Sequence, residues 1–171
     1  MNTLTSAQQK LVDVWQQHLY AEFAVKDVDL ALSTMTEDPY VLCVPVARGG
    51  YGKGGVRRFY AEEFFPNNPA DMKVATVAQT VADSVLIDES VISFTHDIAM
   101  EWILPGIAPT GKFVEFAFVG IISFEGGKIA SERLYWDQGS LLLQLGVIPA
   151  GTPALKGAES ARLLIDPSKL A

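Results

Sequence analysis

"KFVEFAFVGIISFEGGKIASERLYWD", residues 112–137, decides the fold. Two runs rich in β-branched and aromatic residues flank a Gly126-Gly127 turn, which reads as two long strands in sequence. Side chains alternate across a strand, so Phe116, Phe118, Ile122 and Phe124 share one face while Phe113, Ala117, Val119 and Ile121 share the other. Both faces are apolar. A sheet covered by helices on one side only would show a wet face, so a partner subunit is expected on the second face and the protein is expected to be a homodimer.

Upstream, "KVATVAQTVAD" (73–83) and "SVLIDESVISFTHDIAMEW" (84–102) continue the strand pattern. Before residue 73 the chain reads as helix. From Ser6, a plausible N-cap, to about Lys26, apolar residues fall at Leu11, Val14, Trp15, Leu19 and Phe23. A second helix follows from about Val28 to Met35 with Asp27 as its cap. "PYVLCVPV" (39–46) is a short strand that Pro45 assigns to a sheet edge. "RGGYGKGG" (48–55) is a glycine-rich loop feeding a helix, "VRRFYAEEFF", that stops before Pro66. Helices first and a strand meander second predict an α+β domain, helices laid on one face of a mainly antiparallel sheet.

The 171 residues fit one domain, 1–150, followed by a tail, 151–171, that packs on the domain or on a partner subunit. A net charge of −7 with scattered Lys and Arg argues against nucleic acid. No apolar run approaches the ~20 residues that span a bilayer, and the N-terminus has no leader pattern, so a cytoplasmic protein without a membrane partner is expected. Cys43, the only cysteine, stands in an apolar run and reads as an inert buried thiol.

Few residues can carry chemistry. "GGYGKGG" fails the phosphate-loop spacing, since Ala47 stands where the first glycine belongs and Gly54 follows Lys53. On the first helix Trp15, His18 and Glu22 share a stripe with Leu11. Period two in "SFTHDIAMEW" puts His96 with Phe94, Ile98, Met100 and Trp102 on an apolar face. If the first helix packs over that face, His18, His96 and Glu22 border one pocket able to exchange protons near pH 7. In "ERLYWDQGSLLLQLG" (132–146), Glu132, Leu134 and Trp136 share a face; burial of that face buries Glu132, which then needs a partner, a ligand or a proton. Asp137 reads as the cap of a short helix ended by Gly146. No metal-ligand spacing occurs and no G-x-S-x-G elbow, so neither a metal nor an organic cofactor is expected.

"PTGKFVEF", "FEGGKIASERLYWD" and "LLLQLG", in this order and spacing, resemble the C-terminal half of SnoaL-like proteins of the nuclear transport factor 2 superfamily. That resemblance implies a cone: a half-barrel of N-terminal helices on a strongly curved sheet, with a pocket inside and dimerisation through the outer sheet face. It also implies, in the polyketide cyclases of the family, a cofactor-free aldol closure using an Asp and a His on adjacent strands. Ungapped alignment on "GGKI" and "QLG" puts those positions at Leu134 and Gly120, so the cyclase mechanism is disfavoured. "FTHDIAMEWILPGIAPTGK" and "YWDQGSLLLQLG" are similar to uncharacterised members named by association with dienelactone hydrolases, whose Cys, His, Asp triad is absent here.

The expected function is cofactor-independent acid/base chemistry (isomerase, dehydratase, cyclase or lactone type) on a small hydrophobic carbonyl compound. Glu132, His96 and His18 are the expected proton-handling residues; Trp15, Glu22, Met100, Trp102, Phe118, Leu134 and Trp136 are expected to line the pocket. The alternative is a non-catalytic small-molecule-binding or dimerisation module.

Overall fold

The computed structural model of the chain describes residues 4–152 and 156–166. Thr5, one residue before the expected cap, opens helix α1 (Ser6–Leu19): its hydroxyl accepts from the Gln8 backbone N–H while the Gln8 side chain accepts from the Thr5 N–H. The helix does not stop at Leu19. It widens into a π-helical turn, Tyr20–Val25, and ends at Lys26 in the left-handed conformation. Asp27 then caps α2 (Val28–Ser33) by accepting from the Leu30 N–H at 3.0 Å, as its position predicts.

Strand β1 (Met35–Cys43) is not an edge. It lies between β2 (Arg48–Tyr51) and β6 (Lys128–Trp136), because Pro45 falls beyond the strand in a 3-10 turn and removes no ladder hydrogen bond. The proline within the strand, Pro39, sits where the pairing with β6 shifts register. The glycine-rich stretch, expected as a loop, instead supplies the edge strand β2 and the start of α3 (Gly52–Arg58). Glycine is required at position 49: with φ of +141°, a Cβ there would stand 1.9 Å from the Val41 carbonyl oxygen. Helix α3 widens into a second π-helical turn, Phe59–Phe64, before Pro66 ends it in a 3-10 turn.

Strands β3 (Lys73–Val81), β4 (Val85–Thr95), β5 (Phe113–Glu125) and β6 form the predicted meander, giving a six-stranded sheet ordered β2-β1-β6-β5-β4-β3. Among the described strands, only the β1/β6 pair is parallel. The architecture is the expected α+β one, with helices against a curved, open, mostly antiparallel sheet. On β5 the even positions Val114, Phe116, Gly120, Ile122 and Phe124 are buried; of the odd ones Phe113 is exposed, and Ala117, Val119 and Ile121 are half-buried. β4 ends at Thr95, short of the run read from the sequence. His96 leaves the ladder there, its backbone carbonyl accepting from the Thr110 and Gly111 N–H groups, and residues 96–112 form a connection.

Asp137 caps α4 (Gln138–Leu145): its carboxylate accepts from the Ser140 N–H at 3.0 Å, and Gly146 ends the helix at φ 76°. Such a cap is worth about 1 kcal/mol. Of the expected tail, α5 (Glu159–Ile165) packs on β5, with Ala161 buried and the Arg162 guanidinium donating to Glu115 at 2.5 Å. Within the tail, residues 153–155 and 167–171 lie outside the described residues. No described helix is long and apolar enough to cross a membrane.

Candidate functional site

Between α1, the two π-helical turns and the concave face of the sheet lies a cavity with about 690 Å³ of space free of protein atoms, its mouth included. Its wall is mostly aromatic and aliphatic; Glu22, Tyr60, Asp88 and Glu132 are the titratable groups on it.

Three of these four converge on His18. The Thr34 hydroxyl donates to the Ala31 carbonyl at 2.6 Å, so towards His18 Nδ1, also at 2.6 Å, it accepts. This fixes the Nδ1 hydrogen and turns Nε2 to the site. There Nε2 meets Glu132 Oε1 at 3.0 Å, Glu22 Oε1 at 3.3 Å and the Tyr60 hydroxyl at 3.0 Å. The Tyr60 hydroxyl in turn donates to Glu132 Oε1 at 2.9 Å. His18, Glu22, Tyr60 and Glu132 are all buried.

Each position has a local cause. Period two on β6 turns Glu132 inward with Leu134 and Trp136. Glu22 follows His18 by four residues, and the π turn holds it on the same helix face. Tyr60 comes from the second π turn. Two of the four cluster residues thus stand on π-helical turns, a geometry that recurs at functional sites.

Burial alone would push the His18 imidazole down, but the carboxylates of Glu132 and Glu22 outweigh it and hold the pKa at about 10. His18 is therefore an imidazolium at neutral pH. Burial pushes the Glu22 carboxyl up, against the pull of His18. Tyr60 is pushed well above its usual range by burial and by the two carboxylates. Glu132 accepts from His18 at 3.0 Å and from Tyr60 at 2.9 Å, whereas Glu22 stands further from His18, at 3.3 Å. One imidazolium faces two carboxyl groups, and burial disfavours the charged form of Glu22.

His18 Nε2 and carboxylate oxygens of Glu22 and Glu132 lie within 4.8 Å of one another, near enough to surround one small cation. A cation would take the place of the Nε2 proton, so metal and imidazolium exclude each other here.

Of the residues singled out from the sequence, Trp15, Glu22, Trp102, Phe118, Glu132 and Leu134 line this cavity. His18 is not on its wall and touches it through Glu22, Tyr60, Glu132 and Trp15. Met100, Trp136 and His96 are not on its wall. Trp136 stacks on Phe118 and donates to Gln138. His96 is fully buried, Nδ1 3.4 Å from the Thr110 hydroxyl; burial pushes its pKa down. The expected convergence of both histidines does not occur, because the strand run that was to carry His96 over the pocket ends at Thr95.

Sequence reasoning missed Thr34, Tyr60 and Asp88. For Asp88 a signal existed: counting back by twos from Phe94 gives Ile92, Ser90 and Asp88 on the same face.

Comparison with known proteins agrees with the architecture. No curated protein sequence matches the chain significantly. Among solved structures, a protein of Jannaschia sp. CCS1, provisionally named a SnoaL-like polyketide cyclase, superposes with a TM-score of 0.71 at 15% identity, covering 87% of this chain and 100% of its own. An NTF2-like protein of unknown function from Burkholderia pseudomallei K96243 gives 0.60 at 15% identity, covering 80% and 97%. A Catenulispora acidiphila DSM 44928 protein with a ketosteroid isomerase-like fold, in complex with trimethylamine, gives 0.61 at 13% identity, covering 82% and 98%. The SnoaL-like domain family matches residues 16–132, more than half the sequence, and the chain belongs to that family.

Proposed function

We propose that this protein is a proton-transfer enzyme acting on a small hydrophobic carbonyl compound, with Glu132 as base and Glu22 as acid. One observation carries the reading: two carboxyl groups in unlike surroundings face one apolar cavity, with a buried imidazolium behind them. Glu132 takes a proton from the carbon next to the carbonyl, and the C–H electrons move onto oxygen as an enolate. Glu22 or Tyr60 stabilises that oxygen by hydrogen bonding. Return of the proton to another carbon is isomerisation; loss of a β-hydroxyl, protonated by Glu22, is dehydration. His18 is a positioning residue in this scheme, since it stands behind the wall and reaches the cavity only through wall residues. These steps use the chain's own groups alone. Names borne by similar folds, polyketide cyclase and ketosteroid isomerase-like, concern carbonyl compounds and support the same class.

The test is α-proton exchange in D2O, followed by NMR, on a panel of mono- and bicyclic ketones led by 2-tetralone. Exchange at least tenfold above buffer is expected for a member of the panel. A panel that binds without exchanging supports the second reading, a binding module, which the mutual pairing of His18 with both carboxylates also favours.

Assembly follows from the outer sheet face, where Ile87, Phe113 and Tyr135 are exposed beside half-buried Ala117, Val119 and Ile121. We propose that a second copy covers it. Sedimentation equilibrium is expected to give twice the 18.6 kDa chain mass, and Phe113→Glu to lower it.

A further inference from the structure

Asp88 is the one carboxyl on the cavity wall that the cluster around His18 does not use. We infer that Asp88 is a second polar anchor of the cavity, and that the molecule bound there carries an oxygen function at each end of a flat, apolar two-ring body. The inference rests on the reading of the Glu132 end given above and adds the far end.

Asp88 lies in β4 and is 8% exposed. Its Oδ2 accepts from the Trp15 indole N–H at 2.8 Å, which pins the carboxyl. Its Oδ1 is buried and has no hydrogen-bond partner among the described residues. Leaving a buried acceptor unpaired costs about 1–3 kcal/mol, so such an atom asks for an occupant. Burial also pushes this carboxyl up, against the pull of Trp15 and of the Gln79 amide on β3 directly opposite. The unpaired Oδ1 can accept from a hydroxyl group of a bound molecule.

The distance to the other end follows from register. Asp88 pairs with Gly120, and Gly120 with Leu134, so the three form one row across β4, β5 and β6. Glu132 is one pleat further along β6 on the same concave face. Two strand spacings of about 4.8 Å and two residues of about 3.4 Å separate the Cα atoms by about 12 Å on a flat sheet, less on a curved one. The floor between is apolar or bare. Phe118 and Leu134 face the cavity, and Gly120 carries no side chain: a Cβ there would meet only side-chain ends, Ile122 Cδ1 at 3.1 Å and Leu134 Cδ2 at 3.7 Å. Trp15 ties the ends together, with its N–H on Asp88 and its ring stacked on His18 at 5.7 Å.

The test compares 2,6-naphthalenediol with 2-naphthol by fluorescence titration. The diol is expected to bind wild type about tenfold more tightly, one added buried hydrogen bond to a carboxyl group. Asp88→Leu is expected to bring that ratio to about one; Asp88→Asn, which retains a donor and an acceptor, is expected to preserve most of it. Equal affinities in wild type, or a ratio that survives in Asp88→Leu, overturns the anchor. Infrared difference spectra of wild type keep the test independent of variant folding: the diol, but not 2-naphthol, is expected to shift a carboxyl stretch that Asp88→Asn lacks, and no shift overturns the proposal. The two readings fail separately. Ketone exchange without a diol preference removes the anchor and leaves the enzyme, whereas an Asp88-dependent preference without exchange removes the enzyme and leaves the anchor.

Discussion

Glu132→Gln is expected to lower ketone α-proton exchange by about 10²–10⁴-fold, the usual contribution of a positioned general base. The amide keeps an acceptor oxygen for Tyr60 and His18, so the hydrogen bonds seen at Glu132 Oε1 persist and the fold is retained. What is lost is the basic lone pair aimed into the cavity. 2-Tetralone affinity is expected to change less than about threefold, since loss of an interaction made only in the transition state lowers the rate and leaves ground-state binding. Undiminished activity of Glu132→Gln would remove Glu132 from the mechanism, and weakened binding at an unchanged rate would make it a recognition residue instead.

His18→Leu is expected to destabilise the protein by about 3–5 kcal/mol at pH 6, the cost of removing one partner from a buried ion pair, measurable by urea unfolding. The effect depends on pH with a definite sign. His18 is raised in the folded protein from 6.5 to about 10, so the folded state binds more protons and the contribution is fully present below pH 6.5. It is lost as pH rises from 6.5 through about 10. Glu22, also raised, acts in the same direction from its unfolded value of 4.5 upward. Wild-type stability is thus expected to fall between pH 6 and pH 9.5, and the gap between wild type and His18→Leu to narrow with it. A profile that is flat or rises over this range would mean that the imidazole is neutral in the folded protein.

Much of this site could be read from residue order because simple periodicities govern it. Helical spacing put Trp15, His18 and Glu22 on one face, and strand parity turned Glu132 inward with Leu134. The same rule failed for His96 because a periodicity carries no mark of where the ladder stops; Asp97 follows, and the backbone there bonds across the connection instead. It failed for Pro45 because a proline past the strand end looks, in sequence, like one inside it. Tyr60 was unreadable for another reason. An i→i+5 turn displaces side chains from the faces that 3.6-residue periodicity assigns, so no α-helical wheel aligns Tyr60 with a histidine forty-two residues away. Asp88 was legible by the same strand parity and passed over.

The two widened turns imply that the site is encoded in chain length as well as in residue identity. Each closes rings one residue larger than those of an α-helix, and hydrogen bonding in a regular helix is better satisfied without the extra residue. Deleting one residue between 59 and 64 would relieve the local irregularity and shift Tyr60 against Nε2 of His18, whereas Glu22 keeps its i,i+4 spacing from His18. A survey by substitution alone passes over this layer of information. Single-residue deletions and insertions are the changes that reach it, and within this fold they offer a route by which the same wall residues could be re-aimed at a different substrate without altering any of them.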